Sequence, residues 1–412
     1  MQTLPGFRDF YPAPVPSKDA WSADLRGHIF DTWRRVARGY GFREYDGPPL
    51  EPLELLTLKS GEEIVGQLFN FEDKGGRQVS LRPEMTPTLA RMVAGVERHY
   101  RKPIKWFAIP QLFRYEKQQK GRLREHFQFN ADIFGETEPG ADAELVALLI
   151  DSLRALGLTS EDFVVRLSSR KAWQSFFESH CSEFSRAYEF YQAVDKLERE
   201  KPEVTDAKLR AFGITLEQVQ AFIAAGEPND ELRVVLDQLN ARGLGEFARI
   251  DYGIIRGLEY YTGIVFEAFD RKGEFRAIAG GGRYDHLVKL VSAGKVDLPG
   301  LGFGMGDVVL AELLKARGLV PHFTANLDAF ILIEDETLRT DSLALVQRLR
   351  DAGRRVDFPL TPTKSDKQFK RALELGAART VRLERGTDGA VIARVKDLAT
   401  RQETLVPPAD VA

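Results

Sequence analysis

From Glu125 to Ile133 the chain alternates without a break. His126, Gln128, Asn130 and Asp132 are polar, while Phe127, Phe129, Ala131 and Ile133 are apolar. Side chains of an extended strand point to opposite faces in turn, so this run suits a strand with one face in a core and the other carrying hydrogen-bonding groups. The preceding run, KWFAIPQLFRYE, is separated from it by the basic segment Lys117 to Arg124 and reads as the other arm of a hairpin. Pairing the two arms puts Arg114 and Glu116 on the same face as His126, Gln128 and Asp132, a polar floor on a largely buried sheet. A sheet that simply borders water has the same alternation, so other segments must decide between the two.

Those segments also set the organisation. At 412 residues the chain exceeds the roughly 250–300 residues at which a single core stops growing, so two or three domains are expected. Residues 18–39 place Trp21, Leu25, Ile29, Trp33 and Val36 at helical spacing, and Pro48 and Pro49 then favour an edge strand or an interface segment. A hairpin turning at Lys74-Gly75-Gly76 precedes a helix from about Thr86 to Val96, and ADAELVALLIDSLRALG predicts an amphipathic helix ending in glycine. Residues 171–244 are dominated by helical patterns, and strands return in IVFEAFDRKGEFRAIAGGG with a turn at Arg271-Lys272-Gly273. From about residue 326 strand and helix patterns alternate, which implies a mainly parallel α/β sheet. The division is therefore a core in two parts, 1–170 and 245–322, a helical insertion at 171–244, and an α/β domain at 326–412. The fold class is α+β with an antiparallel sheet, a helical insertion and a C-terminal α/β domain.

Composition excludes several classes. The net charge of −3 argues against a protein that coats nucleic acid, although basic patches at Arg98–Lys102, Lys117–Arg124, Arg348–Arg355 and Lys364–Arg371 leave room for local phosphate contacts. One cysteine, Cys181, excludes an intramolecular disulfide and a cysteine zinc cluster, and no histidine recurs at ligand spacing, so no metal is assigned to protein side chains. The N-terminal sequence lacks a signal-peptide pattern and no window has the apolar length of a membrane span. A cytoplasmic protein with no membrane attachment is expected.

Three further segments bring chemistry toward the polar floor. RGLEYYTGIVFEAF carries Arg256, Glu259, Tyr260 and Tyr261; AIAGGGRYD carries three glycines, Arg283 and Tyr284; LRPEMTP carries Glu84 and Thr86. Consecutive glycines either form a turn or let a ligand or another backbone come close. Neither GxxxxGK[ST] nor GxGxxG is present, since GLGFGMGD misses the latter register. Arginines on a sheet floor are another way to hold phosphate charge, through bidentate hydrogen bonds. Together these groups suit a small zwitterion and a triphosphate.

FRYE followed by a basic segment and a strand resembles motif 2 of the class II aminoacyl-tRNA synthetases, and LRPEMTPTLAR, RGLEYYTGIVFE and AGGGRYD resemble signatures of the histidyl-tRNA synthetase family. The resemblance covers nearly the whole chain. It implies ATP with Mg²⁺, histidine and tRNA(His) as reactants, and residue roles to match. Arg114 would hold the α-phosphate, with Arg256 opposite it as the second catalytic arginine; Glu116, Arg122 and His126 would complete the ATP site, with His126 underlying adenine and Phe127 pointing to the core. Glu84, Thr86 and Gln128 would bind the α-amino end of histidine. Asp132 and Tyr261 would meet the imidazole, and Tyr260 and Tyr284 would close the pocket. Lys117, Gln119, Lys120 and Arg124 would contact the tRNA acceptor end, and the C-terminal α/β domain the anticodon. The first helix and the Pro48-Pro49 segment resemble motif 1, which implies a homodimer.

One position departs from the family pattern. Motif 3 ordinarily ends in an arginine that sandwiches adenine, but here the segment reads GFGMGDVVLAELL and Val309 stands in that place, as in GFGFGD-like bacterial and plant-organelle members. Its absence admits a second function, a catalytically silent histidine-sensing regulatory subunit of ATP phosphoribosyltransferase. Intact FRYE, Arg256 and the C-terminal domain favour the ligase.

Overall fold

The computed structural model describes residues 3–411 apart from 61, 116–122, 196, 198–199, 255–260, 324–326 and 388. Two compact units divide the chain: Met1–Asp9 with Leu25–Val320, and Phe10–Asp24 with Pro321–Ala412.

The first unit is built on a nine-stranded sheet. Its spatial order runs Ala248–Ile250, Phe163–Ser169, Ile264–Asp270, Ala279–Arg283, Gly300–Gly306, Glu125–Phe134, Ile104–Ala108 and Arg43–Glu44, with Gln111–Phe113 also pairing with Glu125–Phe134. The interior pairs are antiparallel and the two edge pairs parallel. The two arms read from the sequence do pair, with Gln111 opposite Phe127 and Trp106 opposite Asp132. The alternating run is a ten-residue strand at the centre of the sheet, and its apolar set faces a core. There Trp33 stacks on Phe129 at 5.5 Å, and Phe129 meets Phe303 edge-on at 5.4 Å. Fully burying each such side chain contributes roughly 1.5–3 kcal/mol.

The helices follow the expected pattern with two differences. The first helix runs Ala23–Gly39 and buries Leu25, Ile29, Trp33 and Val36, but Trp21 lies outside it, in a short strand whose partner is Phe10–Tyr11. The helix Pro139–Arg154 is more buried than an amphipathic surface helix: eleven of its residues, Ala141 to Leu153 with gaps, are buried, and its polar side is a strip of Glu144, Asp151 and Arg154. It contacts the Glu125–Phe134, Ala279–Arg283 and Gly300–Gly306 strands as well as the helix Asp230–Ala241, which narrows that strip. Gly157, at φ +92°, supplies the left-handed turn just beyond it. The helix Thr86–Val96 and the hairpin of Asn70–Glu72 with Gln78–Leu81 stand where the pattern put them. Described residues between Arg170 and Ala241 form five α-helices, Arg170–His180, Ala187–Val194, Pro202–Arg210, Leu216–Ala225 and Asp230–Ala241, with one turn of 3-10 helix at Phe184–Arg186. An aromatic cluster of Trp173, Phe176, Phe177, Phe190 and Phe222 joins the first, second and fourth of these α-helices.

In the second unit a five-stranded sheet runs Val356–Asp357, Ala329–Leu332, Arg379–Arg385, Val391–Asp397 and Glu403–Val406. Its first two pairings are parallel and its last two antiparallel, so the sheet is mixed rather than mainly parallel. The difference arises because residues 391–406 return as a meander, a pattern that helix and strand alternation does not announce. Gln368, on the helix Ser365–Glu374, accepts from the Ile333 N–H at 2.8 Å and donates to the Ile333 and Thr363 carbonyls. It thereby satisfies backbone groups just past the end of the Ala329–Leu332 strand. No helix among the described residues is long and apolar enough to cross a membrane.

Arg283 was read from the sequence as a cleft group, but it turns the other way. Its guanidinium bonds the Asp142 carboxylate and the carbonyls of Glu136 and Glu138, with the two charged side chains 6% and 1% exposed. Asp142→Ala would leave the buried cation only the longer contact to Asp285 at 3.5 Å, and breaking a buried pair in this way costs about 3–5 kcal/mol. Urea unfolding at pH 7 is expected to show a loss of that order; a loss below about 1 kcal/mol would mean the pair does not tie the helix Pro139–Arg154 to the sheet.

Candidate active site

The polar face of the central strand forms the floor of a cleft. In register, Asp132, Asn130 and Gln128 stand opposite Gly302, Gly304 and Gly306. A Cβ on Gly302 would lie 1.9 Å from the Asp132 Oδ1, and one on Gly304 would lie 2.6 Å from the Gln128 amide. These glycines are required because the neighbouring polar side chains lean across them. On the far side Gly280 and Gly282 pair with Gly304 and Gly302. A Cβ on Gly282 would meet the Tyr261 ring at 2.8 Å. The glycine triplet is therefore strand rather than turn, and the space it leaves is occupied by aromatic and carboxylate side chains.

Two compartments open on this floor. The larger, about 590 Å³, is lined by Glu84, Thr86, Arg114, Gln128, Asp132, Tyr261, Glu267 and Tyr284 together with Gly302 and Gly304. The Tyr284 hydroxyl donates to Asp132. Burial pushes the Tyr261 phenol up, and the carboxylates of Glu84, Glu267 and Asp132 push it further, so the compartment is acidic. It suits a small ligand with positively charged or N–H donor groups at both ends. The second compartment, about 390 Å³, is lined by Arg114, His126, Gln128, Glu267, Val308 and Val309. Arg114, Gln128 and Glu267 border both spaces.

Local structure fixes these groups. Arg114 donates its backbone N–H to the Arg124 carbonyl at 2.9 Å and its Nε to the Pro83 carbonyl at 3.2 Å. Pro83 belongs to the turn that presents Glu84 and Thr86. Arg82, buried beside it, donates to the carbonyls of Gly47, Pro48 and Gln111, which holds the turn against the proline segment. His126 faces the cleft while Phe127 turns inward, edge-on to Phe30 at 5.2 Å and beneath the Arg26 guanidinium. The ring order His126-Phe127 thus places the imidazole, not the phenyl, in the second compartment. Arg124 lies over the Tyr115 ring at 4.4 Å and donates its N–H to the Gly6 carbonyl.

Glu116, Lys117, Gln119, Lys120 and Arg122, and likewise Arg256 and Tyr260, lie outside the described residues. Val309, at the position of the absent arginine, lines the second compartment. Among the described residues no cluster of three or more His, Cys, Asp or Glu is arranged to hold a metal.

Sequence reading missed a buried ion triad beneath the second compartment. Arg8 bonds Glu125 at 2.6 Å and Asp307 at 2.9 Å, and Asp307 also accepts the Phe127 N–H at 2.9 Å. The Arg8 side chain is 1% exposed. It joins the N-terminal segment to the start of the central strand and to the first turn of the helix Asp307–Ala316. No local signal links residues 117 and 299 positions apart in the chain.

The family profile described as histidyl-tRNA synthetase matches residues 21–306. The chain is 46% identical over 430 aligned positions to a histidine–tRNA ligase of Opitutus terrae, covering 98% of this chain and 96% of that protein. It is 36% identical to a chloroplastic/mitochondrial histidine–tRNA ligase of Arabidopsis thaliana, covering 95% and 82% respectively. A crystal structure of histidyl-tRNA synthetase from Nostoc sp. PCC 7120 superposes with a TM-score of 0.75 at 24% identity, covering 97% of this chain and 96% of that one.

His126 carries a titration consequence of its own. Burial, then the charges of Arg114 and Arg8, depress its imidazole to about 3, so the ring is neutral near pH 7. An unfolded histidine binds its proton below about pH 6.5. Between the two values the unfolded state holds the extra proton, so this group's contribution is fully present above about 6.5 and is lost as pH falls toward 3. His126→Phe is expected to remove that part of the pH dependence of urea unfolding between pH 6.5 and 4; an unchanged slope would mean that His126 is accessible to protons in the folded protein.

Proposed function

The chain belongs to the histidyl-tRNA synthetase family, and we propose that its cleft joins histidine to ATP at Arg114 before passing the histidyl group to tRNA. It is a histidine–tRNA ligase, the activity whose name its relatives carry across nearly their whole length. The observation that carries the residue assignment is that Arg114 borders both compartments, one acidic and glycine-floored, the other lined by a neutral imidazole.

In this reading histidine occupies the larger compartment. Its α-amino group meets Glu84 and Thr86 with Gln128 nearby, and its imidazole meets Asp132 and Tyr261, with Tyr260 and Tyr284 closing the wall. A site whose buried polar groups pair with both ends of one amino acid rejects those that leave them unpaired. ATP lies in the second compartment, with adenine on the His126 ring and Glu116 and Arg122 completing the site. A histidine carboxylate oxygen attacks the α-phosphorus, the bond to the β-phosphate oxygen breaks, and pyrophosphate leaves. Arg114 and Arg256 flank the α-phosphate and offset the charge that builds on its oxygens, so positioning and fixed positive charge carry the step without a protein nucleophile. A hydroxyl at the tRNA 3′ end then attacks the histidyl carbonyl, and AMP departs.

Mg²⁺ accompanying the triphosphate would offset its charge, and Glu267, a carboxylate bordering both compartments, would hold it. Lys117, Gln119, Lys120 and Arg124 supply contacts to the acceptor end, and the Pro321–Ala412 segment those to the anticodon, with a salt-dependent phosphate contribution from each. A cytoplasmic homodimer completes the reading. The regulatory-subunit alternative has behind it only Val309 and a distant structural neighbour, at 20% identity, whose name carries both roles.

ATP–pyrophosphate exchange with each amino acid tests the assignment. Exchange with histidine and no other amino acid is expected, and exchange with none would favour the silent regulatory role. Within that assay Gly302→Ala is expected to raise the KM for histidine at least tenfold while the KM for ATP changes less than threefold, because the added methyl displaces Asp132 and leaves His126 untouched. Equal effects on both would mean that the two compartments are not separate binding sites.

A further inference from the structure

The reading above makes no use of a phenol packed against the strand that pairs with Asp132. We propose that Tyr45 is a positioning residue for the amino-acid compartment, its hydroxyl holding the Asp132 carboxylate in the orientation that accepts a ring N–H of histidine. This rests on the assignment of that compartment to histidine.

Tyr45 follows the edge strand Arg43–Glu44, and its own N–H donates to the Phe107 carbonyl at 2.9 Å, so its backbone is fixed to the neighbouring strand. Its ring packs on Trp106 with centroids 5.7 Å apart. Trp106 is the register partner of Asp132, so the indole and the carboxylate project from the same face of the sheet, with the phenol beside them. The same apolar cluster takes in Tyr261 and Tyr284, both of which line the compartment, whereas Tyr45 stands behind its wall.

The Tyr45 hydroxyl is buried and has no hydrogen-bond partner among the described residues. Phenols placed in such surroundings ordinarily have one. Burial raises this phenol well above its usual range, and the negative charge of Asp132 is the next cause, ahead of Arg82, which lowers it, and Asp46. The hydroxyl therefore stays protonated within the field of that carboxylate and can act only as a donor toward it.

The Asp132 carboxylate lies over Gly302, where an added Cβ would fall 1.9 Å from its Oδ1. Tyr284 donates to Oδ1 from one direction. A second phenol, donating through one bridging water, holds the carboxylate from another side and still leaves lone pairs for the imidazole, since a carboxylate accepts about four hydrogen bonds. Rigid support behind a recognition group converts contact into selectivity.

Tyr45→Phe removes the hydroxyl and keeps the ring. Calorimetric titration with L-histidine is expected to show binding weakened about tenfold, the effect of losing one hydrogen bond to a charged group. Exchange kinetics should show the same change in the KM for histidine, with the KM for ATP within twofold and the melting temperature unchanged or higher. Histidine affinity equal to that of the intact protein would overturn the proposal. So would a parallel loss of histidine and ATP affinity with a lowered melting temperature, which marks general damage. Intact protein that binds histidine without supporting exchange would unseat the reaction but not this role of Tyr45, because the binding comparison stands by itself; intact protein that binds no histidine would overturn both.

Discussion

The cleft depends on one packing constraint, the absence of side chains along one face of the strand Gly300–Gly306. Where this strand meets Glu125–Phe134, each pair on the cleft side joins a glycine to a polar or aromatic residue. The would-be Cβ positions at Gly302 and Gly304 already fall within bonding or clash distance of Asp132 and Gln128. On the other face of the same strand Leu301, Phe303 and Met305 are buried among Phe129 and Phe266, so the backbone cannot move away to make room. A rigid, hydrogen-bonded ladder with one face emptied is what gives room for a carboxylate and an amide on the strand and two phenols from segments flanking the neighbouring strands to converge.

Ionic groups then fix that platform at its ends. Arg8 ties the N-terminal segment to Glu125 and Asp307 at the end where the second compartment lies, and Arg283 ties the strand that carries the glycine triplet to Asp142 at the other. Removing charges of this kind from water costs several kcal/mol each, which the attraction within a buried pair has to offset before it adds any net stability. Arg8 also helps to keep His126 neutral, so the triad bears on the electrostatics of the second compartment as well as its shape. The second compartment is thus bordered by a neutral ring, a fixed Arg114 and the apolar side chain of Val309.

Some of this could be read directly from the residues. Strict alternation from Glu125 to Ile133 specified a strand with a polar face, because period two has no other regular solution. The pairing of KWFAIPQLFRYE with it followed from proximity in the chain. Glu84, Thr86, Gln128, Asp132, Tyr261 and Tyr284, which the resemblance nominated, line one cavity with Arg114. Other features were opaque for stated reasons. Helix Pro139–Arg154 looked amphipathic because Asp142, Glu144, Asp151 and Arg154 punctuate it, yet Asp142 is buried by an ion pair with a residue 141 positions away. Arg283, placed in the cleft by its neighbour Tyr284, points to the opposite face, as adjacent strand residues must. The mixed sheet of the second unit hid behind an alternation that described only its first half.

What the residues by themselves determined is local and periodic: where strands and helices form, which face of the central strand is polar, where glycine is tolerated, and which family the motifs belong to. Tertiary structure alone decided which of those faces meet. It set Gly302 beside Asp132, Arg8 beside Glu125 and Asp307, and Tyr45 beside Trp106. The reason is that chain distance and spatial distance are unrelated once a sheet orders its strands out of sequence; hydrogen-bond register then fixes contacts that no periodicity along the chain encodes.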